Sequence, residues 1–506
     1  MTTANKHDVI IVGMGLAGLA TAARLCELGV ENIGIYADGL GGTPYIAAIN
    51  FVLPDNPHGD TPRQYYDDMI HAGYELGNQA LVKDMTENTL NGYQLLRRWG
   101  VEFAQNEDGS TKLRHVSGHT YPRSLCSTKR LIGEEIVEKL VRGLKERGVA
   151  FHDKAECLKL LSKDGRVQGV TIRENGEVRN VYAPVVVAAW GGVGRLFGVS
   201  TYPGDIKGNT LAIAHDAGAK LIDIEFLEYE PMVVMDPPGA VGEPCPTAML
   251  GEGAYLLNSD GERFLLKVRP QGEGGSPKTL INREIWKQVD AGKGSPLGGV
   301  WVDLRHIDRN VLKAYPWFFN RLMDNGCDPN EQLVQAGPMA HSFSGGVKVG
   351  PDYQSNLKGF YAVGEACGGV HGACRSAGNA ASQATLSGLL CAQAVAKADR
   401  SHQPTEQEAV YHDDPEVRAR LLPQAEKLTV VAMGIYRRGA TLQDALTRLE
   451  ALLSDPGCEK DDRTRQAIES MALMTRAALR RTESRGTHMR LDYPDQDPAQ
   501  AQGAEI

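Results

Sequence analysis

The stretch Asp8–Gly18, DVIIVGMGLAG, constrains this chain more than any other. Val9–Val12 is an unbroken apolar run, and a run so short and continuous reads as a strand buried on both faces of a parallel sheet. Gly13, Gly15 and Gly18 follow at G-x-G-x-x-G spacing, and Leu16, Leu19, Ala23 and Leu28 then mark a helix. Each glycine has a separate task. Gly13 makes the tight turn, Gly15 lets a pyrophosphate approach the backbone, and Gly18 lets helix pack on strand. The helix start at Leu16 and Ala17 offers unpaired N–H groups and positive dipole to that pyrophosphate. The glycines alone carry little weight. Strand, glycines and helix in this order point to a dinucleotide site, the alternative being a strand–helix turn with no ligand.

The fingerprint closes its second strand with an acid that binds the adenosine ribose. Here that strand is Ile33–Ala37, and the place falls near Tyr36 or Ala37, with Asp38 slightly later. Either Asp38 reaches back or the ribose is held otherwise. The following stretch Gly39–Ala48, GLGGTPYIAA, reads as a loop along a cofactor, with Gly42 and Thr43 as candidate contacts. An ordinary glycine-rich turn is the alternative.

The 506 residues are enough for two or three domains, and a hydrophobic content of 42% is that of a soluble enzyme. A net charge of −9 offers no basic field for nucleic acid, and no apolar run approaches the roughly 20 residues of a membrane span. A buried strand by residue 9 leaves no room for a signal peptide, so a cytoplasmic protein is expected. The nine cysteines form no C-x-x-C pair. Reduced thiols are expected, with no iron–sulfur cluster of the chain's own and no metal site.

Helical patterns run through about 62–77, 80–99 and 128–148. Segment 149–187 reads as strands, with Asp164-Gly165 and Asn175-Gly176 as hairpin turns. Ala183–Gly194 is a further buried strand ending in glycines, and Gly359–Glu365 the last sheet strand. Segment 220–350 is less regular and reads largely as an inserted second domain. After an alanine-rich helix ending near 398, helical patterns recur at 415–434, 440–454 and 460–483, and the polar tail past Pro494 is expected to fray.

Six stretches act together: the glycine loop; Gly253–Phe264, GAYLLNSDGERF; Pro338–Val347, PMAHSFSGGV; Gly359–Glu365, GFYAVGE; His371–Asn379, HGACRSAGN; and Glu483–Pro494, ESRGTHMRLDYP. In order and spacing they resemble the flavoprotein subunit of succinate dehydrogenase and fumarate reductase, with its relatives L-aspartate oxidase and adenylylsulfate reductase. The resemblance implies an α/β fold: a Rossmann-like FAD-binding domain (1–235 and 341–402), an inserted α+β capping domain (236–340) and a C-terminal helical domain (408–495). It implies FAD, and hydride exchange between flavin N5 and a carbon beside a carboxylate. Glu365 would bind the flavin's hydroxyl-bearing side chain, and Asn209 stands where the family has an aspartate near FAD. Asn379, Ala380 and Ala381 would open the helix aimed at the flavin ring. Arg375 would grip the substrate carboxylate with two parallel bonds, the alternative being a surface or inter-domain ion pair. His341 would bind the carboxylate too, and Thr247 is a further substrate-binding candidate.

Two positions depart from the family pattern. Its F-H-P-T segment reads FLEYEPM here, so Glu230 stands for the histidine and Met232 for the threonine. A carboxylate facing a carboxylate in a dry pocket is unfavourable, which argues against succinate and fumarate. Alternatively, Glu230 turns into a salt bridge with a capping-domain arginine or lysine. Counting fourteen residues on from Phe264, the family's proton-donating arginine is Lys278 here, and Arg283 matches a later arginine. Lysine serves as an acid when burial tunes it; a solvated loop lysine is the alternative. The family's covalent flavin histidine has no counterpart between Gly39 and Ala48, so FAD is expected to be held without a covalent bond. The expected activity is an FAD-dependent dehydrogenase or reductase of an organic acid other than succinate or fumarate. A separate iron–sulfur or other electron-transfer subunit is a candidate partner. The rivals are an amino-acid oxidase, an electron relay and an adenylylsulfate-reductase-like subunit.

Overall fold

The computed structural model describes residues 6–116, 118–127 and 130–506. The chain opens with β1 (Val9–Val12), α1 (Leu16–Glu27) and β2 (Ile33–Ala37). Helices α2 (Pro62–Ala72), α3 (Gln79–Glu87), α4 (Thr89–Arg98) and α5 (Ile132–Glu146) precede β3 (Ala150–Asp153). The pattern over 80–99 is thus two helices, because Asn88 ends one and starts the next. Of the pattern over 128–148, residues 128 and 129 lie outside the described residues.

Strands β4 (Ala155–Lys163), β5 (Arg166–Glu174) and β6 (Glu177–Tyr182) form an antiparallel meander. Its turns hold Asp164, Gly165, Asn175 and Gly176 at positive φ, as tight hairpins of this twist require. The chain then returns as β7 (Val185–Ala188) beside β1, in register Val9 to Val185. Every residue of β1, β2 and β7 is buried, which is why these strands read as continuous apolar runs.

After α6 (Thr210–Asp216) comes a second core. It is built on β8 (Leu227–Val234), β9 (Tyr255–Leu257), β10 (Val300–Asp303) and β11 (Val334–Phe343), an antiparallel sheet in the order β8-β11-β10-β9. Helices α7 (Lys278–Asp290), α8 (Arg309–Lys313) and α9 (Pro316–Met323) accompany it, and Phe264, Ile285, Phe318 and Leu322 fill it. Strand β12 (Phe360–Ala362) then completes the first sheet, parallel throughout in the order β12-β7-β1-β2-β3. The carboxyl end of β1, between β2 and β7, is the crevice where such sheets bind ligands.

Helix α10 (Asn379–Lys397) packs closely on α1: a Cβ at Gly388 would lie 2.7 Å from the carbonyl oxygen of Ala17. Helices α11 (Pro415–Ala432), α12 (Gly439–Leu453) and α13 (Asp462–Arg480) close the chain and share the first core. The tail corrects the sequence expectation. Leu221 and Ile506 exchange two backbone hydrogen bonds of 3.0 Å, and Glu505 pairs with Lys220 and Lys348. Among the described residues, no helix is long and apolar enough to cross a membrane.

Candidate active site

At the carboxyl end of β1 the three glycines separate by cause. Gly13 has φ +114, and a Cβ there would lie 2.2 Å from the carbonyl oxygen of Ala189, while one at Gly18 would lie 2.1 Å from that of Gly13. Both are required by the chain's own backbone. Gly15 is not: its φ of −74 and ψ of 177 suit any residue, and a Cβ would meet Thr43 Oγ1 at 3.2 Å and Leu40 O at 3.7 Å. Its bareness therefore leaves room for a ligand. No side chain of Gly15 caps α1, no acid lies in its first turn, and Leu16 N donates to Thr43 Oγ1 at 2.8 Å. The positive helix end is left for an anion. Nearby, Met14, Leu40, Val137, Val141 and Phe151 line a cavity of about 430 Å³. Asp38 does not reach back; it pairs with Lys207 at 3.1 Å. Asp205 instead lies against this loop, taking Gly41 N at 2.7 Å on one oxygen and leaving its other oxygen buried without a partner. A helix start whose Leu16 N alone is taken by a side chain, that of Thr43, together with a bare glycine and an orphan acceptor, fits a dinucleotide.

Glu365, just beyond β12, accepts from Tyr202 Oη and, at 2.9 Å, from Phe343 N. Burial pushes its carboxyl up and the Tyr202 phenol well up, so the tyrosine stays a donor. Helix α10 starts from Gly378 at φ +77, with no side-chain cap and no acid in its first turn. Its opening is held from behind. Asn379 Oδ1 accepts from Asn50 Nδ2 at 2.7 Å and Tyr65 Oη at 2.8 Å, leaving Asn379 Nδ2 buried and unpartnered. Ala380 is exposed and Ala381 buried. An uncapped helix start leaves N–H groups that a ligand or water can satisfy. Asn209 stands apart, its amide donating to Gln466 Oε1 of α13 at 2.9 Å.

Between these elements and α7 lies a cluster of charge. Along β8 and β11 the pairing runs Glu228 to Ser342, then Tyr229 to Ala340, so His341 is the extra residue of a β-bulge. Bulges re-aim side chains, and this one turns His341 toward Glu230, with Nε2 3.7 Å from its carboxylate. His341 Nδ1 shares a 2.9 Å hydrogen bond with Thr201 Oγ1. A second irregularity of β8, between Glu230 and Val233, accommodates Pro231, which has no N–H for a regular ladder. Lys278, the first residue of α7, places Nζ on the Glu230 carboxylate. A cation at a helix N-terminus opposes the dipole, and this carboxylate answers both.

Arg375 is held on three sides. Its Nε donates to Ser342 Oγ at 3.0 Å, Nη1 to Ser376 O at 3.1 Å and Nη2 to Glu228 Oε1 at 3.1 Å. Three of its five N–H groups are used and two remain. The Arg375 and Glu228 side chains are only 6% and 7% exposed, and Glu228 Oε2 has no partner. Burial, then Lys278, pushes His341 down to about 3, so its ring is neutral at ordinary pH. The adjacent Cys374 thiol is pushed up to about 12 by burial and is no nucleophile.

The fold therefore brings His341, Arg375, Glu230 and Lys278 together. It does not bring Arg283, which pairs with the neighbouring Glu284 at 3.3 Å and is 41% exposed. Thr247 opens a 3-10 turn, Thr247–Leu250, and makes no hydrogen bond to the cluster among the described residues. Glu228, Ser342, Thr201, Tyr202 and Asp205 were missed from sequence. Only Glu228 carried a signal, two residues before Glu230 on a strand and so on the same face.

A profile described as FAD binding domain matches residues 8–381, and one described as Fumarate reductase flavoprotein C-term matches residues 426–502. The chain belongs to the succinate dehydrogenase and fumarate reductase flavoprotein family. This flavoprotein is 30% identical over 530 residues to a fumarate reductase (CoM/CoB) subunit of Methanothermobacter marburgensis, covering 97% of this chain and 95% of that one. It is likewise 30% identical over 526 residues to L-aspartate oxidase of Streptomyces coelicolor, covering 97% and 89%. The structure of Mycobacterium smegmatis Sdh1 in complex with UQ1 has a TM-score of 0.85 at 27% identity, over 97% of this chain and 90% of that one. The protein is an FAD-dependent oxidoreductase, and the glycine loop and the uncapped α10 fit that cofactor.

Proposed function

We propose that this flavoprotein exchanges a hydride between FAD and a carbon near the carboxylate of an organic acid other than succinate or fumarate. One observation carries the exclusion. Both cations of the cluster are already matched, Arg375 by Glu228 and Lys278 by Glu230, while His341 is neutral. A dicarboxylate would set four anionic groups against two cations in a partly dry site.

Bound FAD supplies a ring nitrogen that takes or gives the hydride. Arg375 keeps two N–H groups for one substrate carboxylate, and neutral His341 adds a hydrogen bond. Lys278, partly exposed and paired with Glu230, is the group that moves a proton at the neighbouring carbon. Glu365, held by Tyr202, receives a hydroxyl of the cofactor. Gly39–Ala48 contains neither histidine nor cysteine, which supports non-covalent FAD. The Methanothermobacter relative is by its name one subunit of a larger enzyme, which supports partnership with a separate electron-transfer subunit. The absence of a long apolar helix among the described residues is consistent with a cytoplasmic site.

The test uses FAD-loaded protein, a dye acceptor or reduced dye donor, and a panel of carboxylic acids. Turnover is expected with an acid that is not a plain dicarboxylate. Oxidation of succinate or reduction of fumarate at typical enzyme rates, about 1–1000 per second, would refute the proposal.

A further inference from the structure

Two loops are tied together across the end of β1. In the parallel sheet β1 lies between β2 and β7, so the segments that follow β2 and β7 flank the crevice at its carboxyl end. Three contacts join them. Asp205 Oδ2 accepts from Gly41 N at 2.7 Å. Lys207 Nζ lies 3.1 Å from Asp38 Oδ2, and it donates to Gly204 O at 2.7 Å, which draws its own loop tight. Between these polar contacts Ile206 is buried: a Cβ at Gly41 would lie 3.7 Å from its Cδ1, and one at Gly191, just after β7, 3.1 Å. Gly39 is bare for the same fit. Its φ lies outside the left-handed region, yet a Cβ there would meet Asp205 Oδ2 at 2.2 Å.

We propose that Asp38–Gly41 and Gly204–Lys207 form a clasp over the FAD crevice, which must open for the cofactor to enter or leave. This rests on the non-covalent FAD of the proposed function and names what retains it. The glycine loop lies at the end of β1, between the two segments. Thr43, two residues past Gly41, takes Leu16 N beside Gly15 and so lays the first segment along the helix start. A dinucleotide on that helix start is enclosed by a bridge made only of the protein's own groups. The Asp205 contact is a carboxylate on a backbone N–H, a charge-assisted bond and the stronger of the two. The Lys207–Asp38 pair, with side chains 29% and 35% exposed, is weaker and screened by salt. Breaking such a bridge costs the same for entry as for exit. Loosening it therefore speeds both and leaves affinity nearly unchanged, whereas a residue that gripped FAD directly would speed release and weaken affinity in proportion.

The experiment measures release of FAD from the loaded full-length protein, by exchange against excess 8-chloro-FAD, whose absorption differs, together with the equilibrium affinity for FAD. Asp205→Ala should speed release about tenfold to a hundredfold, the usual range for a charge-assisted hydrogen bond, and change affinity far less. Gly39→Ala should act likewise, because its methyl displaces the Asp205 carboxylate without removing a charge. Lys207→Asp should speed release a few-fold, and adding Asp38→Lys should restore the parent rate by reversing the pair. If Asp205→Ala fails to hold FAD, the Lys207 series decides alone. Release at the parent rate in these variants, or affinity falling in full proportion to release, would overturn the clasp. FAD that stays on the acid-precipitated parent chain would instead remove the non-covalent reading beneath it.

Discussion

Replacing Arg375 by alanine does more to this protein than remove a substrate contact. Its guanidinium sits against Glu228, with side chains 6% and 7% exposed. Breaking a buried pair from one side typically costs about 3–5 kcal/mol, because the remaining charge is left uncompensated. Ser342 Oγ and Ser376 O lose a donor as well. Adding Glu228→Gln to Arg375→Ala removes the stranded charge and should recover about 2 kcal/mol or more. The double-mutant cycle should therefore show a coupling of about 2–3 kcal/mol. Thermal midpoints would report this poorly. At about 2.1 cal/mol/K per residue, a chain of 506 residues moves its midpoint by only about 1 °C per kcal/mol. Urea unfolding of the FAD-loaded proteins, followed by flavin release and by circular dichroism, is the better assay. Arg375→Ala costing under about 1 kcal/mol, or no recovery in the double variant, would show that the pair is solvated and that its charge balance does not govern the site.

Three further outcomes follow from the geometry. Gly15→Val should abolish FAD binding yet keep native circular dichroism, since the backbone there is unstrained and the nearest atom to a new Cβ is Thr43 Oγ1 at 3.2 Å; normal flavin content would show the loop to be merely a turn. Lys278→Met should remove most turnover with FAD retained; rates within a few-fold of the parent, about 1 kcal/mol in the barrier, would reject a proton-moving role. His371 donates from Nε2 to Gln383 Oε1 at 2.7 Å, and burial pushes it down to about 3. The unfolded chain takes up that proton first, so the neutral ring stabilises fully above about pH 6.5 and progressively less as pH falls toward 3. Between pH 8 and pH 5 the stability advantage of the parent over His371→Asn should shrink by about 2 kcal/mol; a constant difference would contradict this.

Much of the frame was legible along the chain. Val9–Val12 and the glycine loop formed as their pattern indicates, because strand, turn and helix there depend on neighbours a few residues away. Asp164-Gly165 and Asn175-Gly176 made their hairpins for the same reason, each needing only two residues that tolerate positive φ. The two helices over 80–99 read as one because Asn88 can both end one helix and begin another, and apolar periodicity does not register that change.

The sequence by itself thus determined the local elements and the nucleotide-binding crevice, and it singled out His341, Arg375, Glu230 and Lys278, which the fold brings into one cluster. Tertiary structure alone decided how those charges are paired. Glu228 and Arg375 are separated by 147 positions, and Glu230 and Lys278 by 48. Which carboxylate meets which cation depends on how β8, β11 and α7 pack and on the bulge that adds His341 to the ladder. Glu230 looked like an obstacle to anionic substrates until Lys278 was seen to neutralise it. The tail misled in the same way: its polar residues suggest fraying, yet it docks through Leu221 and Ile506 by backbone groups. Backbone donors and acceptors are common to nearly every residue, so composition cannot say where they will find a partner.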